Sequence, residues 1–119
     1  MTLFTDRVTA GIESALDSVS LRQRVTADNI ANMNTPGFKA ARVEFEANLA
    51  RALKAGAPDQ VRNTGADVVA ADTPANADGN TVNVADEQAI MVKSGLHFEA
   101  LVAALNFKYT TLRTAITGR

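Results

Sequence analysis

The tripeptide Thr35-Pro36-Gly37 is a stop that no helix can run through. Pro36 has no N–H to donate, and its ring clashes with a preceding helical turn. It also pushes Thr35 out of the α region. Gly37 supplies the positive φ that a type II turn needs at its third residue, with Pro36 fixing the second. Asn32 and Asn34 tolerate left-handed geometry and bond local backbone, which suits a helix exit. The chain before this point and the chain after it are therefore separate elements.

Before the turn, Ile12, Leu16, Val19, Gln23, Thr26, Ile30 and Met33 recur with spacings alternating four and three. That alternation predicts a helix from about residue 5 to residue 33 with a narrow a/d seam. Asp6 is expected in its first turn, where the helix dipole favours an acid. Gln23 and Thr26 make the middle of the seam polar, a feature that lowers stability but fixes register.

A second and more regular seam runs through Met91, Gly95, Phe98, Val102, Leu105, Tyr109, Leu112 and Ile116, widened by Leu101 and Ala104. Asn83 is its expected N-cap, Asp86 and Glu87 its first-turn acids, and Gly118 with Arg119 its close. Each helix would be roughly 45 Å long at 1.5 Å per residue. The fold class that follows is mainly α, with the two helices as an antiparallel coiled-coil-like pair. Gly95 costs about 1 kcal/mol in helix propensity and reads either as a close backbone approach or as a tolerated kink. Leu21, Val25, Leu96 and Leu101 flank the seams and exceed what two helices cover. Helices of other subunits are expected to complete the packing. The residues expected to do so are Ile12, Leu16, Val19, Ile30, Met91, Gly95, Phe98, Val102, Leu105, Tyr109, Leu112 and Ile116.

Between the helices, Lys39–Val43 reads as extended, and Phe45, Leu49, Ala52 and Leu53 suggest a short amphipathic helix over about 44–54. Gly56 and Pro58 end it. The stretch 56–80 has no sustained period and reads as a projecting, poorly ordered loop. Asp78-Gly79-Asn80 makes a turn, and Thr81–Val84 a short extended piece. The organisation expected is one axial domain over 1–119, with the first helix at 5–34 and the turn and short helix at 35–54. A variable loop at 55–82 and the second helix at 83–117 complete it.

Composition narrows the function. The chain is 46% hydrophobic but only 5% aromatic, so its large side chains are too few for a generous globular core. With a net charge of −1 and no basic tract, nucleic acid and anionic membrane surfaces are not expected partners. Cysteine is absent, which excludes disulfides and thiolate metal sites. No apolar run approaches the roughly 18 residues of a membrane span, and no cleaved secretory signal is visible at the N-terminus. The single histidine, His97, has no metal-ligand partner at a recognisable spacing. No residue pattern indicates catalysis, a cofactor or a metal, and the expectation is a protein that is not an enzyme. From the residues alone, a free-standing coiled-coil adaptor is the competing reading.

The order of residues adds a resemblance. Ala27, Asn29, Ile30, Ala31, Asn32, Asn34, Thr35, Pro36, Gly37, Phe38 and Lys39 fit the pattern A-x-N-I-A-N-x-N-T-P-G-[FY]-K. The stretch thus resembles the N-terminal signature of flagellar rod, hook and hook-associated axial proteins. Gly79-Asn80-Thr81-Val82, Asp86-Glu87, Met91, Leu96, Phe98, Ala100-Leu101, Leu105, Lys108-Tyr109, Leu112 and Ala115-Ile116 are similar to the short proximal rod members of that family. A sister group of short rod proteins shares the signature. Longer distal rod and hook members carry an inserted β domain that is absent here.

The resemblance covers residues 1–54 and 79–119. It implies a structural subunit of the flagellar basal-body rod, self-associating in a helical array around an export channel and transmitting torque. It implies other rod subunits, the export gate and the MS-ring base as partners, with no direct membrane insertion. It also implies export to the periplasm-spanning rod without a cleaved signal peptide.

Overall fold

The computed structural model describes residues 6–118. The expected helix start at about residue 5 and the closing Arg119 lie partly or wholly outside that range. The described chain is an elongated plate of 62 × 30 × 15 Å. Its spine is the antiparallel packing of α1 (Arg7–Ala31) on α4 (Val84–Thr117). Between them lie β1 (Ala41–Glu44), α2 (Glu46–Ala55), α3 (Pro58–Arg62) and β2 (Asp67–Ala70), gathered on the other side of α1.

Three contacts set the antiparallel register of the spine. Asn29 bonds Glu87, the Gln23 amide lies 3.9 Å from where a Cβ on Gly95 would stand, and Asp6 pairs with Lys108. The two sequence seams therefore face each other. Ile12, Leu16 and Ile30 are half-buried and Val19 is fully buried; on α4, Met91, Gly95, Phe98, Val102, Leu105 and Leu112 are half-buried.

The opposite side of α1 buries small residues instead: Ala10, Gly11, Ser14, Ala15 and Ser18. Small side chains let the intervening elements lie close. Val43, Phe45, Leu49 and Val61 pack there with Ala10, Ala15 and Val19 as one core. Each large apolar side chain so buried contributes about 1.5–3 kcal/mol. Arg22 fastens β1 and α2 to α1: it donates to the Val43 carbonyl (2.7 Å), pairs with Glu46 (2.7 Å) and lies 4.8 Å over the Phe45 ring. That guanidinium holds the Glu46 carboxyl down at about 2. Ser14 donates to the Thr64 carbonyl (2.9 Å), and Arg62 pairs with Glu13 (2.7 Å), which raises the Arg62 pKa.

The stretch 56–80 is not the irregular loop expected. It contains α3, begun by Pro58 at the first helical position, and β2, paired antiparallel to β1 with Ala41 opposite Ala70 and Glu44 opposite Asp67. Both pieces are too short to show a period, and the strand pairing is long-range, so neither leaves a local signature. The expected extended piece at Thr81–Val84 ends at Asn83, whose backbone is extended, because α4 begins at Val84.

Two expectations at helix ends are refined. Asp6 is the N-cap of α1 rather than a first-turn residue, accepting from the Thr9 N–H at 2.7 Å. Asn83 caps α4 as expected, accepting from Asp86, and Gly118 closes it in the left-handed region. The reading that no apolar run approaches a span also needs correction. By length and composition α4 is apolar enough to cross a membrane, with a mean hydropathy of 1.2 in one 18-residue window. Its few charges interrupt the run without lowering that average far.

Among the described residues outside its own helix, only the Gln23 side chain comes within 4 Å of a Cβ built on Gly95. Gly95→Ala is therefore expected to stabilise the isolated protein by about 0.5–1 kcal/mol, seen as a raised urea midpoint. A loss of stability would show a contact that the structure lacks.

The Lys108 ammonium, and after it the Thr9 N–H, holds the Asp6 carboxyl at about 2 instead of 3.8. A carboxyl depressed by folding stabilises above its unfolded value and loses that contribution as the pH falls through the folded one. Stability is expected to decline between pH 3.8 and about 2 on this account. An NMR titration of Asp6 should show a midpoint near the lower value. Asp6→Asn keeps the capping oxygen and should remove this part of the acid dependence.

Candidate assembly interface

The signature residues split into buried and exposed sets. Asn29 is buried at the end of α1. Its amide nitrogen donates to the Ala41 carbonyl (2.9 Å) and to Glu87 Oε2 (3.0 Å), and its oxygen accepts from the Ala41 N–H (3.1 Å). One side chain thus satisfies both polar groups at the start of β1 and reaches α4. Glu87 is wholly buried, and its other oxygen accepts from Arg42 at 2.5 Å. A carboxylate removed from water is tolerable only when paired and hydrogen-bonded in this way.

Past Ala31 the chain makes the turn that its sequence requires. The Phe38 N–H donates to the Thr35 carbonyl (3.2 Å), and Gly37 has φ +74°. A second turn docks against it: Gly79, at φ +84°, donates to Asn76 (2.9 Å). Gly79 packs on the Gly37 backbone, since a Cβ on Gly79 would lie 3.5 Å from the Gly37 Cα.

Asn80 closes the pair. Wholly buried, it donates to the Asn32 (2.9 Å) and Thr35 (2.7 Å) carbonyls and accepts from the Val82 N–H (2.7 Å). Lys39 reaches the Gly79 carbonyl (2.6 Å), and Thr81 bonds both Phe38 and Ala40. Asn32 and Ile30 are half-buried beside this clasp, as is Phe38, whereas Ala31, Asn34, Thr35, Pro36 and Gly37 remain exposed. The clasp brings most of the signature together with a part of the chain more than forty residues away.

Beside Asn29, a cleft of about 460 Å³ opens between α1, β1 and α4. Arg42, Lys93 and His97 stand on its rim with Glu44 and Glu46, over Val25 and Ile90. Among the described residues no group of three or more His, Asp and Glu is arranged to hold a metal ion.

The outer side of α4 is uncovered. Ala85, Ala89, Val92, Leu96, Ala100, Ala103 and Phe107 follow one another at spacings of three and four, and all are exposed. Val92 is 65%, Leu96 64% and Phe107 75% exposed. Of the whole helix only Glu87 and Ser94 are buried. Tyr109 and Ile116, expected on the packing seam, are exposed where α4 runs on past Lys108.

Comparison with known proteins agrees with this geometry. Residues 13–39 match the family described as flagella basal body rod protein. Over 99% of the chain and 98% of the relative, it is 31% identical to the flagellar basal body rod protein FlgB of Bacillus subtilis. It is 36% identical to FlgB of Cereibacter sphaeroides over 99% of both chains. FlgB of Aeromonas hydrophila is 31% identical over 87% of this chain. The chain belongs to the FlgB family of flagellar basal body rod proteins.

Sequence reasoning placed this FlgB-family signature on a turn but missed what it docks with. Asp78-Gly79-Asn80 is legible as a turn, yet nothing local shows that Asn80 is buried. Glu87 read as a helix-dipole residue, and its burial is set by Asn29 and Arg42 from two other elements. The outer stripe of α4 was legible through Leu96 alone, because the stronger seam hides it.

Asn80→Ala leaves the buried Val82 N–H unpaired and frees both turns. We expect a loss of about 2–3 kcal/mol in urea unfolding. Asn80→Asp should be no better, because a carboxylate cannot donate to the Asn32 and Thr35 carbonyls. A wild-type midpoint in either variant would contradict the clasp.

Proposed function

We propose that the chain is a structural, non-catalytic subunit of the flagellar basal-body rod, packing helically with its neighbours around an export channel and transmitting torque. The observation that carries this is the two-sided apolarity of α4. A helix with apolar stripes on opposite faces is stable in water only when both are covered. α1 covers one, and the stripe from Ala85 to Phe107 is left for another subunit. Heterologous contacts that do not close generate an open helical array, the symmetry a shaft needs.

The seam residues Ile12, Leu16, Val19, Ile30, Met91, Gly95, Phe98, Val102, Leu105, Tyr109, Leu112 and Ile116 take part from the edges that α1 and α4 leave uncovered. The exposed signature residues Asn34, Thr35 and Pro36 supply a rigid end. Placement at the proximal rod would put the export gate and the MS-ring base on one side and further rod subunits on the other. It also entails passage into the periplasm-spanning rod without a cleaved signal peptide.

A bilayer is the other environment that an apolar helix of this length suits. On α4, however, Glu87 bonds Asn29 and Arg42, and Lys108 pairs with Asp6, so the helix is engaged by α1 and β1 from Glu87 to Lys108. Burial in a protein assembly keeps those bonds, and insertion in lipid would break them.

The double variant Leu96→Asp, Phe107→Asp tests the assignment. Both side chains face away from α1, so the isolated protein should keep its helix content, with a stability change of no more than about 0.5 kcal/mol per site. Cells carrying it should be non-motile, with basal bodies that lack the rod. Normal swimming would exclude the stripe as the assembly surface.

A further inference from the structure

We infer a head-to-tail contact in which the end of α4 of one copy seats against the signature turn of the next. This rests on the rod reading and specifies which parts of two copies meet. α4 runs past Lys108, the residue paired with the α1 N-cap, to Thr117, a further ~14 Å at 1.5 Å per residue. This overhang continues the seam that α1 covers lower down. Tyr109, Leu112 and Ile116 line an apolar hollow of about 280 Å³ there, with Arg113 at its edge. A surface continuous with a packed seam, and of the same chemistry, is suited to the same kind of partner: another seam of this type.

The opposite end of the molecule offers one. Met33, the last position of the expected seam and two residues past the end of α1, is 42% exposed, and Pro36 beside it is exposed. The asparagine clasp holds this end rigid, so little ordering entropy opposes docking. The charges also match. Asp28 and Asp78 are exposed at the signature end, close to the C-terminus of α1, where the helix dipole adds negative potential. Neither aspartate forms an ion pair among the described residues, and neither does Arg113 at the overhang. Because the two patches lie at opposite ends of a 62 Å plate, no single chain can join them. Two copies can, and repetition of the contact propagates along an axis without closing.

The chain contains no cysteine, so the contact can be trapped directly. Basal bodies would be isolated from cells producing the double variant Met33→Cys, Ile116→Cys and treated with a short thiol cross-linker. The expected result is a ladder of linked copies, with nothing above the monomer in either single variant. Arg113→Glu should lower the cross-linked yield at least tenfold, and Asp28→Lys in the same chain should restore it. Rods that contain the variant but give no ladder would overturn the contact, as would a product confined to single chains. Basal bodies from which the wild-type chain is absent would instead refute the rod reading, and this contact with it.

Discussion

The bonds of Asn29 hold this structure to one geometry. The first residue of β1, Ala41, turns its N–H and carbonyl towards the end of α1, where no strand pairs with them. Asn29 supplies both partners to Ala41 and has one hydrogen left for Glu87. That single amide fixes where β1 departs from α1 and where α4 returns to it. The cost of burying the Glu87 carboxylate is offset only while Asn29 and Arg42 stay in place, which makes the arrangement specific more than it makes it strong. Arg42 is itself a strand residue, so helix, strand and returning helix become one cooperative unit.

The asparagine clasp extends the same logic to the turns. Thr35–Phe38 and Asn76–Gly79 are each ordinary reverse turns, too short to hold a position alone. Asn80 gives the Asn32 and Thr35 carbonyls a second donor each and accepts from the buried Val82 N–H, which would otherwise be unmet. Positive φ at Gly37 and Gly79 is what each turn requires, and Gly79 packs in ordinary contact with the Gly37 backbone. The signature is therefore less a site than half of a joint, and its other half stands at residues 78–81.

How much of this was legible depended on how far each cause lies from its effect along the chain. The two long helices were readable because periodicity is a local property, and so were the Pro36-Gly37 turn and the caps at Asn83 and Gly118. β2 was not. Its four residues, Asp67–Ala70, have meaning only opposite Ala41–Glu44. Glu87 shows the limit most clearly. In sequence it is one of two acids in a first helical turn; Asp86 beside it is exposed, and only the facing Asn29 and Arg42 make Glu87 a buried group. The outer stripe of α4 was hidden for a different reason. A helix apolar on two faces gives the sequence reader one strong seam and a widened flank, and which face is covered is settled by α1 alone.

That ambiguity is informative about assembly. A monomeric protein has no use for a second apolar face, since exposure of Val92, Leu96 and Phe107 forfeits burial that polar residues would not need. A rod protein has a use for it, because it associates with other components of the basal body. The scarcity of large core residues follows from the same requirement. Apolar surface placed on the outside of α4 is absent from the interior, so the isolated chain is held chiefly by the core around Val19 and by the two buried polar joints. Rigidity is concentrated at Asn29, Asn80 and Glu87. The far end of α4, with Tyr109 and Ile116 exposed, gains most from a neighbour. The surface proposed for assembly is thus the same one whose exposure forfeits burial in the isolated chain.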